Sequence, residues 1–438
     1  MKRAKVVPVL ICSLVLILNA TALAQGAKAA GHWVSAWSTA VHTPLPFPGL
    51  PPSPVFDNQT VRMVVRPTMG GDRLRVRLSN QFGSTGLIIG SARIALVAKG
   101  AEIVPNSDRE LTFGGRKTVT IPPGAPILSD PVELKVPPFA EVAVSLYFPD
   151  KTNSSTVHFW AQHETYVSST GDFTAKLEIP DATTTTSWYF LADLEVWAPK
   201  RNVAIVAFGD SITDGVGAKQ GDYTDWPDAL AKRLSGTEKG SPAFAVLNEG
   251  IGGNRVLHDG AGVSALARFD RDVLAQPGVV DLIVLEGIND IGWPNIKPRP
   301  SKDGSTPKEL PFEHQVVSAE DIIAGLQQII ERAHQHGIRV FGATLTPFEG
   351  ADYYTAEGEI TREAVNRWIR TSGAFDGVFD FDAAVRDPSR PSQFREDYQS
   401  GDHLHPSAAG YKAMAGAIDL STLTTAKGSQ ARHSSSGH

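Results

Sequence analysis

The sequence predicts two regions in tandem: an antiparallel β-sandwich or jelly roll over residues 31–198, and an α/β domain with a parallel sheet over residues 199–423. Between 31 and 198, apolar and polar residues alternate with period two, which is typical of strands that bury one face. From Arg201 onward, short apolar runs are each followed by a stretch of helical period, which indicates βαβ units and parallel strands. The change of periodicity therefore marks the predicted domain boundary.

Three runs in the first region alternate most clearly. They are Leu74, Val76 and Leu78; Val132, Leu134 and Val136; and Val142, Val144, Leu146 and Phe148. Glycine and proline clusters such as Gly114-Gly115 and Pro122-Pro123-Gly124 separate them as turn signals. Two packed antiparallel sheets are the architecture that buries such runs.

Five strands are predicted in the second region, at Val203–Phe208, Ala243–Asn248, Val279–Leu285, Ile338–Leu345 and Gly377–Phe381. Helices are expected near 226–235, 262–275, 318–335 and 359–372, with a last helix after Pro406. Ligands bind at the carboxyl ends of strands in open parallel sheets. Polar residues that follow these strands are therefore expected to meet in one crevice.

The first 24 residues have the form of a signal peptide. Basic residues precede an apolar stretch from Val6 to Leu18, and Ala22-Leu23-Ala24 matches a small-x-small cleavage site. The stretch is shorter than the roughly 20 residues that span a bilayer, so no stable membrane insertion is expected. We expect removal of residues 1–24 and a secreted or periplasmic protein. The one cysteine, Cys12, lies in this leader.

Charge and composition exclude several classes of partner and site. The leader carries three of the 41 basic side chains and none of the 47 acidic ones, which leaves 38 against 47 and a formal charge of −9. That balance argues against nucleic acid as a partner. The Pro- and Gly-rich segment 293–311 is expected to be a rim or lid over the crevice, and the tail 424–438 is expected to be disordered.

A serine framed by turn-forming residues is the most informative feature. The apolar run of the first parallel strand ends at Gly209, and Ser211 follows it, while Asp402 and His405 stand just before the last helix. A serine hydroxyl needs an adjacent base to act as a nucleophile, and a carboxylate orients that base. These residues indicate a serine hydrolase. If Ser211 were only a helix cap, the distant Asp-x-x-His would have no explanation.

Four blocks in chain order carry a family resemblance. They are Gly209-Asp210-Ser211-Ile212, Asn248-Glu-Gly-Ile-Gly-Gly253, Gly287-Ile288-Asn289-Asp290 and Asp402-His403-Leu404-His405. Residues 201 to 420 therefore resemble the SGNH (GDSL-type) hydrolase family. The resemblance implies a flavodoxin-like three-layer α/β fold and carboxylic-ester hydrolysis through an acyl-enzyme, with no cofactor.

The resemblance also implies a role for each site residue. Ser211 would be the nucleophile, His405 the base and Asp402 the group that holds the imidazole. The oxyanion would be bound by the backbone N–H of Ser211, the N–H of Gly253 and the side chain of Asn289. Gly252 is an alternative second donor, although the spacing after Asn248 favours Gly253. His403, Asp210 and Asp290 are expected to be structural.

Other readings have less support. The sequence lacks the GxSxG of an α/β-hydrolase, the GxGxxG of a dinucleotide site and a P-loop. Asp402, His403 and His405 could bind zinc in principle, but no cysteine and no second cluster at ligand spacing accompany them, so no metal is expected.

The expected substrate is a small-molecule or polysaccharide ester, with removal of acetyl groups from a carbohydrate favoured by export and by the added β-region. A GDSL-type lipase or arylesterase is the alternative. A function of another class is carbohydrate binding by the β-region, which contains or adjoins Trp33, Trp37, Trp160, Trp188 and Trp197. Tryptophans in a sandwich are more often core residues. The sequence does not predict an oligomeric state.

Overall fold

The computed structural model describes residues 30–44, 52–235, 243–296 and 312–424. The expected signal peptide 1–24, most of the 293–311 loop and all but the first residue of the expected tail lie outside them. Within these ranges, no helix combines the length and apolar composition that crossing a bilayer requires.

The first region contains two antiparallel sheets. One has the order Gly31–Ser38, Leu191–Pro199, Gly71–Ser79, Pro126–Leu128, with Val132–Val136 also paired to Gly71–Ser79. The other has the order Thr183–Thr185, Thr165–Thr170, Gln59–Val65, Val142–Phe148, Ser91–Lys99, Glu102–Ile103, with Arg109–Glu110 also paired to Ser91–Lys99. Short pairs join Val55–Phe56 to Thr152–Asn153, Leu87–Ile89 to Val119–Ile121, and Val157–His158 to Trp188–Tyr189. All three alternating runs predicted from the sequence are strands.

The two faces of the strand Gly71–Ser79 have different surroundings. Leu74, Val76 and Leu78 lie in the apolar core. On the other face, Arg77 pairs with the buried carboxyl of Asp193 at 2.5 Å, and also approaches the backbone oxygen of Ala275 in the α/β region. Burial raises the pKa of Asp193 to about 7. The charged face is therefore partly buried, and Arg77 links it to the second region.

The second region contains a parallel sheet in the order Phe244–Gly250, Val203–Gly209, Val279–Leu285, Arg339–Ala343, Gly377–Phe379. In sequence order this is 2-1-3-4-5, the flavodoxin-like arrangement. The five predicted strands are all present. The last one ends two residues earlier than predicted, because the side chain of Asp380 caps a short helix by accepting from the backbone N–H of Ala383.

Helices cover both faces of this sheet region. The longer ones are Trp226–Ser235, Ala319–Gln335, Ala356–Thr371 and Ala408–Gly416. The shorter ones are Ser211–Asp214, Ala265–Phe269, Ile288–Gly292, Phe381–Val385 and Leu420–Thr424, with a π-helical turn at Asp270–Leu274 and 3-10 turns at Trp293–Asn295 and Glu396–Tyr398. The helix predicted near 262–275 is thus an α-helical turn that continues as a π-helical one. A hairpin of Arg386–Asp387 and Arg390–Phe394 was not predicted.

A buried arginine joins the carboxyl ends of the first two parallel strands. Arg268 is 1% exposed, and its Nη2 donates to the backbone oxygen of Gly209 at 2.8 Å. Its Nη1 donates to the backbone oxygen of Glu249 at 2.7 Å, and its Nε donates to Asn254 Oδ1 at 2.8 Å. One planar guanidinium therefore sets the separation of two strand ends and the loop that follows one of them.

Carboxylates near Arg268 offset its charge. Asp272 lies 3.2 Å away and Glu286 lies 3.7 Å away. The guanidinium also lies over the ring of Phe208, 4.0 Å from its centroid. Because this charge is buried and paired, its removal would leave acidic groups and backbone oxygens without their partner.

We expect Arg268→Met to lower the free energy of unfolding by roughly 3–5 kcal/mol, the usual cost of breaking a buried ion pair. Urea unfolding followed by circular dichroism measures this. Arg395→Met is the matched control, because Arg395 pairs with Asp397 on the surface and such pairs add little. Equal unfolding midpoints for the two variants would contradict the clamping role.

Candidate active site

The first parallel strand ends in a turn that presents Ser211. Asp210 is the N-cap of the short helix Ser211–Asp214, and its Oδ1 accepts from the backbone N–H of Ile212 at 2.9 Å. Ser211 is therefore the first helical residue, and its side chain is 6% exposed. Backbone N–H groups in the first turn of a helix have no partner within the helix. The serine thus combines a hydroxyl at the strand end with an N–H that can bind an acceptor.

Gly209 is required by this turn. A Cβ on residue 209 would lie 2.3 Å from both the backbone oxygen of Leu285 and Oγ1 of Thr213. Neither the neighbouring strand nor the helix has room for it. The glycine therefore lets the nucleophile turn pack directly against the third strand of the sheet.

The three residues predicted to act together meet in one hydrogen-bonded chain. His405 Nε2 lies 2.8 Å from Ser211 Oγ, and His405 Nδ1 lies 2.6 Å from Asp402 Oδ2. The other carboxylate oxygen, Asp402 Oδ1, accepts from the backbone N–H groups of Leu404 at 3.0 Å and of His405 at 2.9 Å. One turn before the helix Ala408–Gly416 therefore carries the carboxylate and the imidazole to the serine.

The electrostatics of Asp402 favour its charged form. Partial burial would raise its pKa, but the hydrogen bond and charge of His405, with the two backbone N–H groups, hold that pKa well below its ordinary value. A carboxylate at this place binds the proton on Nδ1 of His405 and leaves Nε2 free to accept from Ser211. The arrangement can therefore take the hydroxyl proton.

His403, the competing histidine, lies elsewhere. Its backbone is left-handed, with a φ of 59°, and its ring packs against Gly350, where an added Cβ would lie 2.8 Å from the ring. The hydrogen-bonded chain to Ser211 contains His405 and not His403. This agrees with the expectation that His403 is structural.

Asn289 follows the third parallel strand and has a fixed orientation. Its Nδ2 donates to the backbone oxygen of Asn254 at 3.0 Å. Its Oδ1 accepts from Trp293 Nε1 at 3.1 Å and from the hydroxyl of Tyr353 at 3.2 Å. A primary amide carries two N–H donors, so the second can serve a further acceptor without any change of orientation.

The loop after the second strand contains the two candidate glycines. Gly253 has a φ of 82°, and a Cβ there would lie 2.6 Å from the ring of Trp293. At Gly252 an added Cβ would meet nothing closer than 3.8 Å. The backbone N–H of Ile251 donates to the oxygen of Gly209 at 3.1 Å, which ties this loop to the nucleophile turn. Steric demand thus distinguishes Gly253 from Gly252.

Buried carboxyl groups surround the base of the site. Burial raises the pKa of Asp210 to about 7, raises that of Asp290 to about 6 and raises that of Glu286 well above its ordinary value. Asp210 Oδ2 and both carboxyl oxygens of Glu286 find no hydrogen-bond partner among the described residues. Asp290 instead accepts from the backbone N–H groups of Val256 and Leu257, so it shapes the loop as expected.

Two residues that position the site were missed in the sequence. One is Arg268, and the other is His158 of the β-rich region, whose Nε2 lies 3.0 Å from Asp214 Oδ1 at the end of the nucleophile helix. Burial opposes protonation of His158, but the Asp214 carboxylate outweighs it and raises the pKa of His158. Neither residue belongs to a sequence motif. Their partners are residues distant in the chain or backbone oxygens, which leave no local pattern in the sequence.

A metal site has no geometric support in the described part of the chain, where no group of three or more His, Cys, Asp or Glu residues is arranged to hold an ion.

Comparison with known proteins extends the motif resemblance. A family model described as the GDSL-like lipase/acylhydrolase family matches residues 207–413. A search of curated proteins finds no significant match. Among solved structures, an acetyl xylan esterase from Geobacillus stearothermophilus is 20% identical over 51% of this chain and 97% of that chain, with a TM-score of 0.38.

Two further solved structures are similar to the same extent. A carbohydrate acetylesterase from Sinorhizobium meliloti is 14% identical over 51% of this chain and 100% of that chain, with a TM-score of 0.37. A GDSL-like lipase from Bacteroides thetaiotaomicron is 14% identical over 50% of this chain and 87% of that chain, with a TM-score of 0.35.

The span matched by the family model contains all four motif blocks, from the turn at Ser211 to the turn at His405. The sheet order and the family match confirm the resemblance that the motifs predicted. Residues 207–413 therefore form a domain of the GDSL-like lipase/acylhydrolase family, and this protein is a carboxylic ester hydrolase.

Proposed function

We propose that Ser211, His405 and Asp402 hydrolyse a carboxylic ester through an acyl-enzyme. The observation that carries this proposal is the unbroken chain from Ser211 Oγ through both imidazole nitrogens to the Asp402 carboxylate, with distances of 2.8 and 2.6 Å. A base within hydrogen-bond reach of the nucleophile, itself oriented by a third group, is the geometry that nucleophilic catalysis requires.

The reaction proceeds in two transfers. Ser211 Oγ bonds to the ester carbonyl carbon while His405 Nε2 takes the hydroxyl proton, and the carbonyl oxygen becomes an oxyanion. The bond to the alcohol then breaks, and the alcohol oxygen receives that proton from His405, which leaves an ester on Ser211. Water repeats the sequence and releases the acid.

Three donors are proposed for the oxyanion: the backbone N–H of Ser211, the backbone N–H of Gly253 and Nδ2 of Asn289. Each donor has a defined setting. Ser211 lies at a helix start, Gly253 lies so close to Trp293 that a side chain there has no room, and Asn289 is oriented by three hydrogen bonds. Donors that need not reorganise stabilise developing charge most effectively.

The packing behind the oxyanion donors favours a short acyl group. Trp293 is 7% exposed and Tyr353 is 6% exposed, and both contact Asn289. Bulky side chains thus fill the space around this amide. We therefore propose acetyl removal, with a carbohydrate as the alcohol, in a protein exported by cleavage of residues 1–24.

The boundaries 31–198 and 199–423 remain the proposed domains. Lipid or aryl esters are the alternative substrates.

Ser211→Ala should lower kcat by about 10⁶, because the nucleophile and its base act as one unit. Hydrolysis of p-nitrophenyl acetate measures the loss. A fluorophosphonate should add its mass to the peptide that contains Ser211 in the wild-type protein. Ser372→Ala, at an exposed helix end, should retain full activity. Near-normal hydrolysis by Ser211→Ala would exclude the proposed nucleophile.

Acyl length should limit the wild-type enzyme. With p-nitrophenyl esters of two to twelve carbons, kcat/KM should be highest for acetate and fall by about tenfold or more by the octanoate, a loss equivalent to roughly 1.4 kcal/mol of transition-state binding. A maximum at long chains would exclude the short-acyl proposal and support a lipase, while leaving the serine mechanism intact.

Asp210 gives the stability of the protein a pH dependence of definite sign. An aspartate has a pKa near 3.9 in an unfolded chain, whereas burial raises the pKa of Asp210 to about 7. The folded state therefore holds a proton that the unfolded state releases between these values. The contribution of Asp210 to stability is therefore fully present below the unfolded pKa of about 3.9 and is lost as the pH rises to about 7.

Asp210→Asn should remove this loss, because asparagine is an equally good N-cap and has no proton to release. Relative to the wild type, the variant should gain up to about 1.4 kcal/mol of unfolding free energy per pH unit between pH 4 and 7. Urea unfolding at several pH values measures the gain. Asp57→Asn, at an exposed position, should show none. A constant difference across the range would mean that Asp210 is ionised when folded.

A further inference from the structure

One tryptophan of the β-rich region differs from the others. Trp33 packs edge to face on Trp197 with ring centroids 5.4 Å apart, and Trp37 packs in the same way on Trp188 at 4.9 Å. Trp160, by contrast, is 42% exposed, and it is the one aromatic residue among the exposed large apolar side chains of the described ranges. The exposed indole leaves a large apolar surface that a ligand can cover.

The backbone at Trp160 is left-handed, with a φ of 57°. A bulky residue rarely adopts this conformation, and such strain tends to occur at binding or catalytic sites. The turn is held on both sides of the residue. The backbone N–H of Phe159 donates to His42 Nε2 at 3.1 Å, and that of Ala161 donates to the oxygen of Thr186 at 2.6 Å. These two hydrogen bonds thus hold the turn in the conformation that exposes the indole.

Trp160 lies beside the candidate active site although it belongs to the β-rich region. A Cβ on Gly252 would lie 3.9 Å from Trp160 Cε3, and Gly252 directly precedes the proposed oxyanion donor Gly253. Two residues before Trp160, His158 binds Asp214 at the end of the nucleophile helix. The turn is therefore connected to two of the loops that form the site.

We propose that Trp160 binds the alcohol part of the ester and that this alcohol is a pyranoside, an inference that rests on the proposed function. Trp293 and Tyr353 fill the space around Asn289, whereas Trp160 is open to solvent, where a large alcohol must extend. The indole offers a flat apolar face and one N–H, which suit the C–H face and hydroxyls of a sugar ring. The ring of Phe159, 4.8 Å from that of Trp160, supports it from one side.

The test compares acetate esters that share the acyl group and differ in the alcohol. Trp160→Ala should lower kcat/KM by about 3- to 10-fold for acetylated methyl xyloside, mainly through KM, since aromatic contacts contribute about 0.5–1.5 kcal/mol. For glyceryl triacetate and ethyl acetate, kcat/KM should change by less than about twofold. Trp160→Phe should retain most of the wild-type activity, and Ile360→Ala, at another exposed apolar position, should retain all of it.

Binding measured without turnover provides a second readout. Ser211→Ala should bind xylo-oligosaccharides in calorimetry, and Ser211→Ala combined with Trp160→Phe or Trp160→Ala should bind progressively more weakly. Sugar binding can be measured even if no ester is hydrolysed. Loss of hydrolysis with sugar binding retained would therefore contradict the proposed function alone, whereas absence of sugar binding would contradict this inference alone. The phenylalanine variant keeps the test informative if the alanine variant does not fold.

Three outcomes would overturn the proposal. Equal losses on all acetates would assign Trp160 a structural role, and unchanged kinetics on the xyloside would assign it none. A dimer in sedimentation that Trp160→Ala converts to a monomer, without any selective loss on the xyloside, would identify the indole as a contact between two copies of the chain.

Discussion

The position of the candidate nucleophile depends on the carbonyl oxygen of Gly209. Arg268 donates to it from a fully buried guanidinium, and the backbone N–H of Ile251 donates to it from the next loop. Two residues later the chain turns into the helix that begins with Ser211. Because the helix that carries Arg268 and the loop at Ile251 both donate to this one acceptor, a shift of either would move the serine hydroxyl relative to His405.

The groups around the Gly209 carbonyl oxygen are shielded from solvent. Glu286 and Asp210 are buried beneath the site, and burial raises the pKa of each. A higher pKa lowers the cost of burying an acidic group, and Asp272 lies 3.2 Å from Arg268 as its nearest acidic partner. Asp402 has the opposite environment, because hydrogen bonds from the Ser400 hydroxyl, the His405 ring and two backbone N–H groups stabilise its charge. The charged carboxylate is therefore the one beside the imidazole of His405, where it can stabilise the imidazolium.

The β-rich region contributes to the site as well as to the core. His158 binds the end of the nucleophile helix, and Ser38 donates to the buried carboxyl of Glu249. On one face of the strand Gly71–Ser79, Arg77 pairs with the buried Asp193 and approaches Ala275 of the second region. A polar contact of this kind is specific, because each buried charge must meet its partner. The hydrogen bond from His158 to Asp214 connects the turn that carries Trp160 to the nucleophile helix.

The sequence by itself determined the fold class, the five parallel strands and the grouping of Ser211, Asp402 and His405, because periodicity and local motifs are properties of neighbouring residues. The family resemblance of its motif blocks also implied Gly253 and Asn289, although not the contacts of both with Trp293. Tertiary structure alone decided that Arg268 binds backbone oxygens, that Arg77 pairs with the buried Asp193, and that Trp160 is exposed while four other tryptophans pack. These features depend on contacts between residues that are distant in the chain, and a local sequence pattern does not show which distant residues will be in contact.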